Sequence, residues 1–161
     1  MRRVNIEHGN EVVGADAGDG SPVRLQFLGG GRMAAALLGG LIETGWCQTS
    51  DVHVVEPDPV AQRRLVDTWS GLSVGDSPTA ALGTVVAVKP GLAAAVLEHA
   101  RTAGVGRVLS LAAGVTLGAL EAVTEQGTPV VRSMPNTPAL VGRGVAAISA
   151  GVDATENDMA W

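Results

Sequence analysis

At 161 residues the chain is long enough for one domain with its own core. Its net charge of −5, with no basic run longer than two residues, argues against nucleic acid as the main partner. The aromatics are one Phe and three Trp, so the core must be built from Ala, Val and Leu.

Cys47 is the only cysteine, which excludes an intrachain disulfide and favours a small buried hydrophobe. His8, His53 and His99 show no ligand spacing, so no metal site is expected. No apolar run reaches the roughly 20 residues of a membrane span, and no apolar segment follows Arg2-Arg3 to make a secretory signal. A cytoplasmic protein without membrane contact is the expectation.

Residues 1–21 are polar and Gly-rich and read as a disordered extension. From there β-branched runs alternate with Ala/Leu-rich stretches. Strands are predicted at 23–28, 52–56, 72–74, 84–88, 107–112 and 129–134, with a weaker seventh at 145–149. Helices are predicted at 32–44, 59–69, 92–102 and 117–125. Asp58-Pro59 is an N-cap followed by proline at the first helical position, and Ser77-Pro78 repeats the device. Near-continuous apolar strands separated by helices predict an α/β fold: a doubly wound, mostly parallel sheet with helices on both faces. A helix start, with Thr155 as its cap, is expected near the C-terminus.

Three features carry chemistry. Gly29, Gly31 and Ala34 fit G-x-G-x-x-[GA]; chance alone supplies roughly 0.8 matches in so Gly/Ala-rich a chain. A second match at Gly142, Gly144 and Ala147 leads into a β-branched run and reads as a turn. The first follows a strong strand and opens a helix, the context in which backbone N–H groups meet a pyrophosphate. Glu56, 22 residues after Ala34, stands where a carboxylate binds the ribose diol of a dinucleotide. The alternative is a solvated strand-end charge. A carboxylate there repels a 2′-phosphate, giving a slight lean to NADH over NADPH, which Arg63 or Arg64 would offset by folding back.

Lys89, the only lysine, follows a buried strand and precedes Pro90. It either approaches a phosphate, ribose or carboxylate or simply enters solvent. In Arg132–Gly142, Pro135 and Pro138 stiffen a loop that displays Asn136 and Thr137.

Together these segments resemble pyrroline-5-carboxylate reductase. The matching pieces are Phe27–Ala34, Ala87-Val88-Lys89-Pro90, Ser110–Thr116 and Arg132–Gly144, in the family's order. The resemblance implies a Rossmann domain over residues 22–152 that binds NADPH or NADH through Gly29, Gly31, Arg32, Met33, Ala34, Glu56, Val88, Lys89 and Pro90. The nicotinamide end would meet Ala113, Gly114, Met134, Pro135, Asn136 and Thr137, with loop-internal bonding as the alternative for Asn136 and Thr137. The implied reaction is hydride transfer to the C=N bond of 1-pyrroline-5-carboxylate, giving proline. Residues 153–161 would begin the family's helical dimerisation domain, which makes the homo-oligomer and carries the catalytic hydroxyl; no position here matches that hydroxyl.

Arg32 replaces an Asn common in the family's glycine turn, and Leu82 stands where the family often has Asp. Rival expectations are another imine or β-hydroxyacid dehydrogenase, or a non-enzymatic or decayed dinucleotide-binding module. Loss of the second domain also predicts exposed apolar surface.

Overall fold

The computed structural model describes residues 22–136, 138 and 143–161. The expectations for residues 1–21, including His8, and for Thr137 and Gly142 lie outside the described residues.

Seven strands form one sheet: β1 (Val23–Leu28), β2 (Val52–Val55), β3 (Ser73–Gly75), β4 (Ala81–Val86), β5 (Val108–Ser110), β6 (Val130–Pro135) and β7 (Ala146–Ala150). Their spatial order is β3-β2-β1-β4-β5-β6-β7. The first six pair in parallel; β7 runs antiparallel to β6, with Val131 opposite Ala150 and Pro135 opposite Ala146. The short link from β6 to β7 leaves no room for a crossover helix, which forces the antiparallel return.

Among the described residues five α-helices accompany the sheet: α1 (Arg32–Glu43), α2 (Pro59–Thr68), α3 (Ala93–Arg101), α4 (Leu117–Glu121) and α5 (Glu156–Ala160). Side chains alternate across the strands, so each face builds its own core. One cluster joins Leu25, Phe27, Val54 and Val85 to Ala34 and Leu38 of α1 and Leu65 of α2. The other joins Leu28, Val86, Val108 and Val130 to Ala93, Leu97 and Ala100 of α3 and Leu120 of α4. The expected doubly wound α/β sheet is present, with a core made almost wholly of Val, Leu and Ala around Phe27. Cys47 is buried in the first cluster, and burial first, then the charge of Asp51, pushes its thiol up.

Most elements fall where the sequence places them; one device does not act as expected. Asp58 caps α2 by accepting from the Val60 N–H at 3.0 Å, with Pro59 at the first helical position. Ser77-Pro78 starts no helix. There the Thr79 N–H donates to the buried Gln26 Oε1 at 3.3 Å, and the Val23 N–H takes the Ala80 carbonyl at 2.9 Å. Tertiary bonds hold that stretch extended and feed it into β4. The same pull moves β4 to 81–86, in register with β1, rather than 84–88. Helix α4 is also shorter than expected.

At the N-terminal ends of the parallel strands the C-terminal segment docks on the sheet. Thr155 and Asp158 form a reciprocal cap at the start of α5. Residues 153–161, expected to open a further domain, lie against β4 and β5 through Trp161. Its ring covers Gly83, where a Cβ would overlap it, and meets Trp46 edge-on at 5.7 Å. Arg107 lies 5.1 Å over Trp161, and Arg24 lies 4.2 Å over Trp46. The result is an alternating cation–aromatic ladder. Arg107 also pairs with Asp158 at 3.3 Å.

The Thr155 hydrogen bonds, more than Arg107, hold the Asp158 carboxyl below its ordinary value of 3.8. A depressed carboxyl contributes stability above its unfolded value and loses it as pH falls through its folded one. Asp158→Asn therefore costs stability at neutral pH, and its difference from the parent chain shrinks as pH drops below 3.8. Trp161→Ala is expected to lower the unfolding free energy by about 2 kcal/mol. Urea titration of the two variants across pH measures both effects; an unchanged midpoint for Trp161→Ala would show that the ladder does not anchor α5.

Candidate functional site

The strand order reverses between β1 and β4, and ligands in open α/β sheets bind beyond the strand ends at that point. The turn from β1 into α1 lies there and is pinned on both sides. Gly29 has φ +99°, a conformation only glycine adopts freely. Its N–H donates to the Val55 carbonyl at 2.8 Å. A Cβ on it would sit 2.9 Å from Val88 Cγ1 and 3.0 Å from the Ala87 carbonyl oxygen.

Gly30 is equally confined: a Cβ there would lie 2.6 Å from Leu65 Cδ1. The motif pattern treats this position as free, so sequence reasoning missed it; the run of three glycines was the available signal. Gly31 differs, with no atom within 4 Å of where its Cβ would be. It is the N-cap of α1 and supplies no side-chain cap. Among the described residues, the first-turn N–H groups of this twelve-residue helix, at Arg32, Met33 and Ala34, thus have neither intrahelical nor side-chain acceptors. By contrast α2, α4 and α5 are capped by Asp58, Thr116 and Thr155, and α3 is entered through the 3-10 turn Pro90–Leu92. Open space beside Gly31 next to uncapped N–H groups and the positive end of a helix dipole suits a phosphate. Ala34 faces the core, where a small residue lets α1 approach β1.

Glu56 follows β2 and serves as a brace. Its Oε2 accepts from the Gly30 N–H at 2.9 Å and its Oε1 from the Asp58 N–H at 3.1 Å. Each oxygen retains a second lone pair for a hydroxyl donor. Lys89 is exposed just beyond β4, without an ion-pair partner among the described residues, and Val88 lies against Gly29. Pro90 opens the 3-10 turn that follows.

Beyond β5, Ala113 and Gly114 are exposed, Gly114 at φ +75°. At the end of β6, paired with β7, Met134 is exposed and Pro135 half-buried. The Asn136 Oδ1 accepts from the Val145 N–H at 3.0 Å, and its own N–H donates to the Val145 carbonyl at 3.1 Å. The loop-internal reading thus describes its Oδ1. Arg132 keeps a buried Nε–H without a partner among the described residues.

Every described site residue predicted from sequence therefore lies at the C-terminal edge of β1, β2, β4, β5 or β6. Beside them a cavity of about 740 Å³ runs between α1 and β5–β7, lined by Met33, Leu37, Leu111, Ser133, Pro135 and Val145. Strand β7 is exposed throughout, so the expected apolar surface is present. Among the described residues no cluster of His, Cys, Asp and Glu suits a metal ion, and no helix is long and apolar enough to cross a membrane.

Residues 24–114 match the family described as NADP oxidoreductase, coenzyme F420-dependent. The pyrroline-5-carboxylate reductase of Mycobacterium leprae is 41% identical over 140 residues, covering 81% of this chain and 47% of that protein. A pyrroline-5-carboxylate reductase structure from Coxiella burnetii superposes with a TM-score of 0.76 at 25% identity, covering 87% of this chain and 54% of that one. The Plasmodium falciparum pyrroline carboxylate reductase, solved with NADP bound, shares the fold at a TM-score of 0.68 and 24% identity, over 86% of this chain and 52% of its own. The chain thus spans about half the length of the curated relatives it matches.

Gly31→Val separates binding from folding. The site has room for a Cβ, so the stability loss should not exceed about 1 kcal/mol, the cost of a poorer N-cap, while the branched side chain enters the anion space and lowers NADPH affinity at least about tenfold. Thermal unfolding and calorimetry on one sample check this; unchanged affinity would remove the phosphate from this turn.

Proposed function

We propose a function from one premise: the chain belongs to the family of NADP oxidoreductases, coenzyme F420-dependent. It is the cofactor-binding part of a pyrroline-5-carboxylate reductase, with residues 22–152 as the dinucleotide-binding domain. The observation that carries the reading is the meeting, at one sheet edge, of the glycine turn, Ala113-Gly114 and the end of β6 at Met134–Asn136. The 41% identity to the Mycobacterium leprae reductase supports the substrate class.

When bound, NAD(P)H supplies a hydride from nicotinamide C4 to C5 of the protonated cyclic imine, and the C=N π pair moves onto nitrogen to leave a neutral amine. The remaining tasks fall to the chain. The N–H groups of Arg32, Met33 and Ala34 hold the pyrophosphate. Glu56 fixes Gly30 and offers its spare lone pairs to a ribose hydroxyl. Lys89 adds a positive charge beside the cofactor path. Ala113 and Gly114 present a low floor, and Met134 and Pro135 an apolar wall, for the nicotinamide. Asn136 keeps its Nδ2 donors, unbonded among the described residues, for the nicotinamide or its ribose.

Protonation of the imine and assembly into a homo-oligomer belong, on this reading, to the portion of the relatives' length that this chain does not span. The described edge offers Lys89 alone as a proton carrier near the nicotinamide end, and a lysine so exposed suits a phosphate better than proton delivery. The choice between NADH and NADPH turns on Glu56, whose charge disfavours a 2′-phosphate but whose oxygens already face main-chain donors.

The purified 161-residue chain is expected to bind NADPH or NADH but to reduce pyrroline-5-carboxylate at least about a hundredfold more slowly than a full-length relative in the same assay; losing the proton donor alone accounts for that much. Turnover equal to the relative's would place the whole active site within these residues and contradict the division proposed.

A further inference from the structure

The two edges of the sheet differ. At one end β3 is three residues long, and Asp76 and Pro78 follow it, features that discourage pairing with another strand. At the other end β7 is five residues long and exposed throughout. From Gly144 to Val152 the chain carries no charge and no proline. Four of the nine large apolar side chains exposed among the described residues, Met134, Val145, Ile148 and Val152, gather here. An uncharged, exposed edge strand is a template for another strand.

The hydrogen bonds to β6 fix what this edge offers. The Gly151 N–H donates to the Val130 carbonyl at 2.8 Å, and the Asn136 N–H donates to the Val145 carbonyl at 3.1 Å. In an antiparallel pair, residues that turn their backbone groups toward the neighbour alternate with residues that turn them away. Residues 145, 147, 149 and 151 therefore face β6, and Ala146, Ile148 and Ala150 present their N–H and C=O groups to the open side. These three are evenly spaced about Ile148, so the edge is complementary to itself. A two-fold axis at Ile148 sets Ile148 opposite Ile148 and Ala146 opposite Ala150, and each outward N–H meets an outward carbonyl. The same axis brings the exposed Arg143 of each copy to the end where the other has the exposed Asp153. The Asp153 Oδ2 accepts from the Gly127 N–H at 3.3 Å, which holds that carboxylate at the strand end. Opposite charges at both ends favour this register over a slipped one.

We propose that β7 pairs antiparallel with β7 of a second copy of this chain, joining two seven-stranded sheets into one. A two-fold contact is closed, and the blunted β3 edge stops association at two. This interface is separate from the assembly assigned above to the length this chain does not span, and it is independent of the cofactor reading.

Sedimentation equilibrium of the 161-residue chain should show monomer and dimer exchanging with a Kd of about 100 µM, as suits a contact smaller than roughly 1,200 Å². Amide exchange followed by NMR locates the contact. Ala146, Ile148 and Ala150 should exchange about threefold more slowly at about 1 mM chain than at about 50 µM, while Ala147 and Ser149, bonded to β6, should be slow at both. Ile148→Lys sets two ammonium groups face to face and should leave a monomer throughout that range. Arg143→Glu should weaken the dimer about tenfold, and adding Asp153→Lys should restore it; this charge swap tests the register without touching the packing of Ile148. A chain that stays monomeric at about 1 mM overturns the proposal. So does a dimer that survives both Ile148→Lys and Arg143→Glu, or one whose three outward amides gain no protection, since its contact then lies elsewhere, as in the groove between α1 and β5–β7.

Discussion

The turn after β1 must pass between the ends of β2 and β4, and the rest of the structure depends on that squeeze. Gly29 meets Val88 and the Ala87 carbonyl on one side and bonds the Val55 carbonyl on the other. Gly30 meets Leu65 and is held by the carboxylate of Glu56. A side chain at either position collides with backbone or core, and Gly29 also needs a positive φ. Once the backbone is fixed this way, Gly31 becomes the N-cap of α1, and a Cβ on it would meet nothing among the described residues. The proposed anion site would thus be a by-product of packing: neighbours require the glycines at 29 and 30, and the side of Gly31 is left free among the described residues.

The two ends of the parallel sheet divide the work. At the C-terminal edge the strands end in exposed turns that leave backbone donors and small residues available. At the N-terminal edge Trp161 closes over Gly83, and the ladder Arg24–Trp46–Trp161–Arg107 ties the start of β1, the exit of α1 and the approach to β5 to α5. A chain with few aromatics places two of its three tryptophans in this one contact. Anchoring one edge lets the other keep open loops, since ordering cost is offset by burial away from the site.

Local signals were legible in the sequence; long-range ones were not. The strand–glycine–helix order, the Asp58-Pro59 cap and the acid after β2 depend on neighbours within a few residues, and each stands where the sequence places it; the loop expected from Met134 instead continues β6 to Pro135. Ser77-Pro78 carries the same cap signal as Asp58-Pro59 and starts no helix, because Gln26, 53 residues away, claims the Thr79 N–H. Glu56 was readable as an acid at the end of the second strand; its bond to Gly30, 26 residues away, was not. Gly83 carried no signal at all, since its partner Trp161 belongs to a separate element.

The central claim is that the described C-terminal edge of this sheet holds a nicotinamide dinucleotide, with its pyrophosphate on α1 and its nicotinamide between the β5 and β6 ends. Titrating NADPH into the isotope-labelled chain and following backbone amide resonances tests it most directly. The account predicts perturbed amides at Gly29–Ala34, at Ala113-Gly114 and at Met134–Asn136, with Arg24, Trp46, Gly83 and Arg107 unmoved. Shifts confined to the N-terminal edge, or a glycine turn that stays silent at saturation, would contradict it.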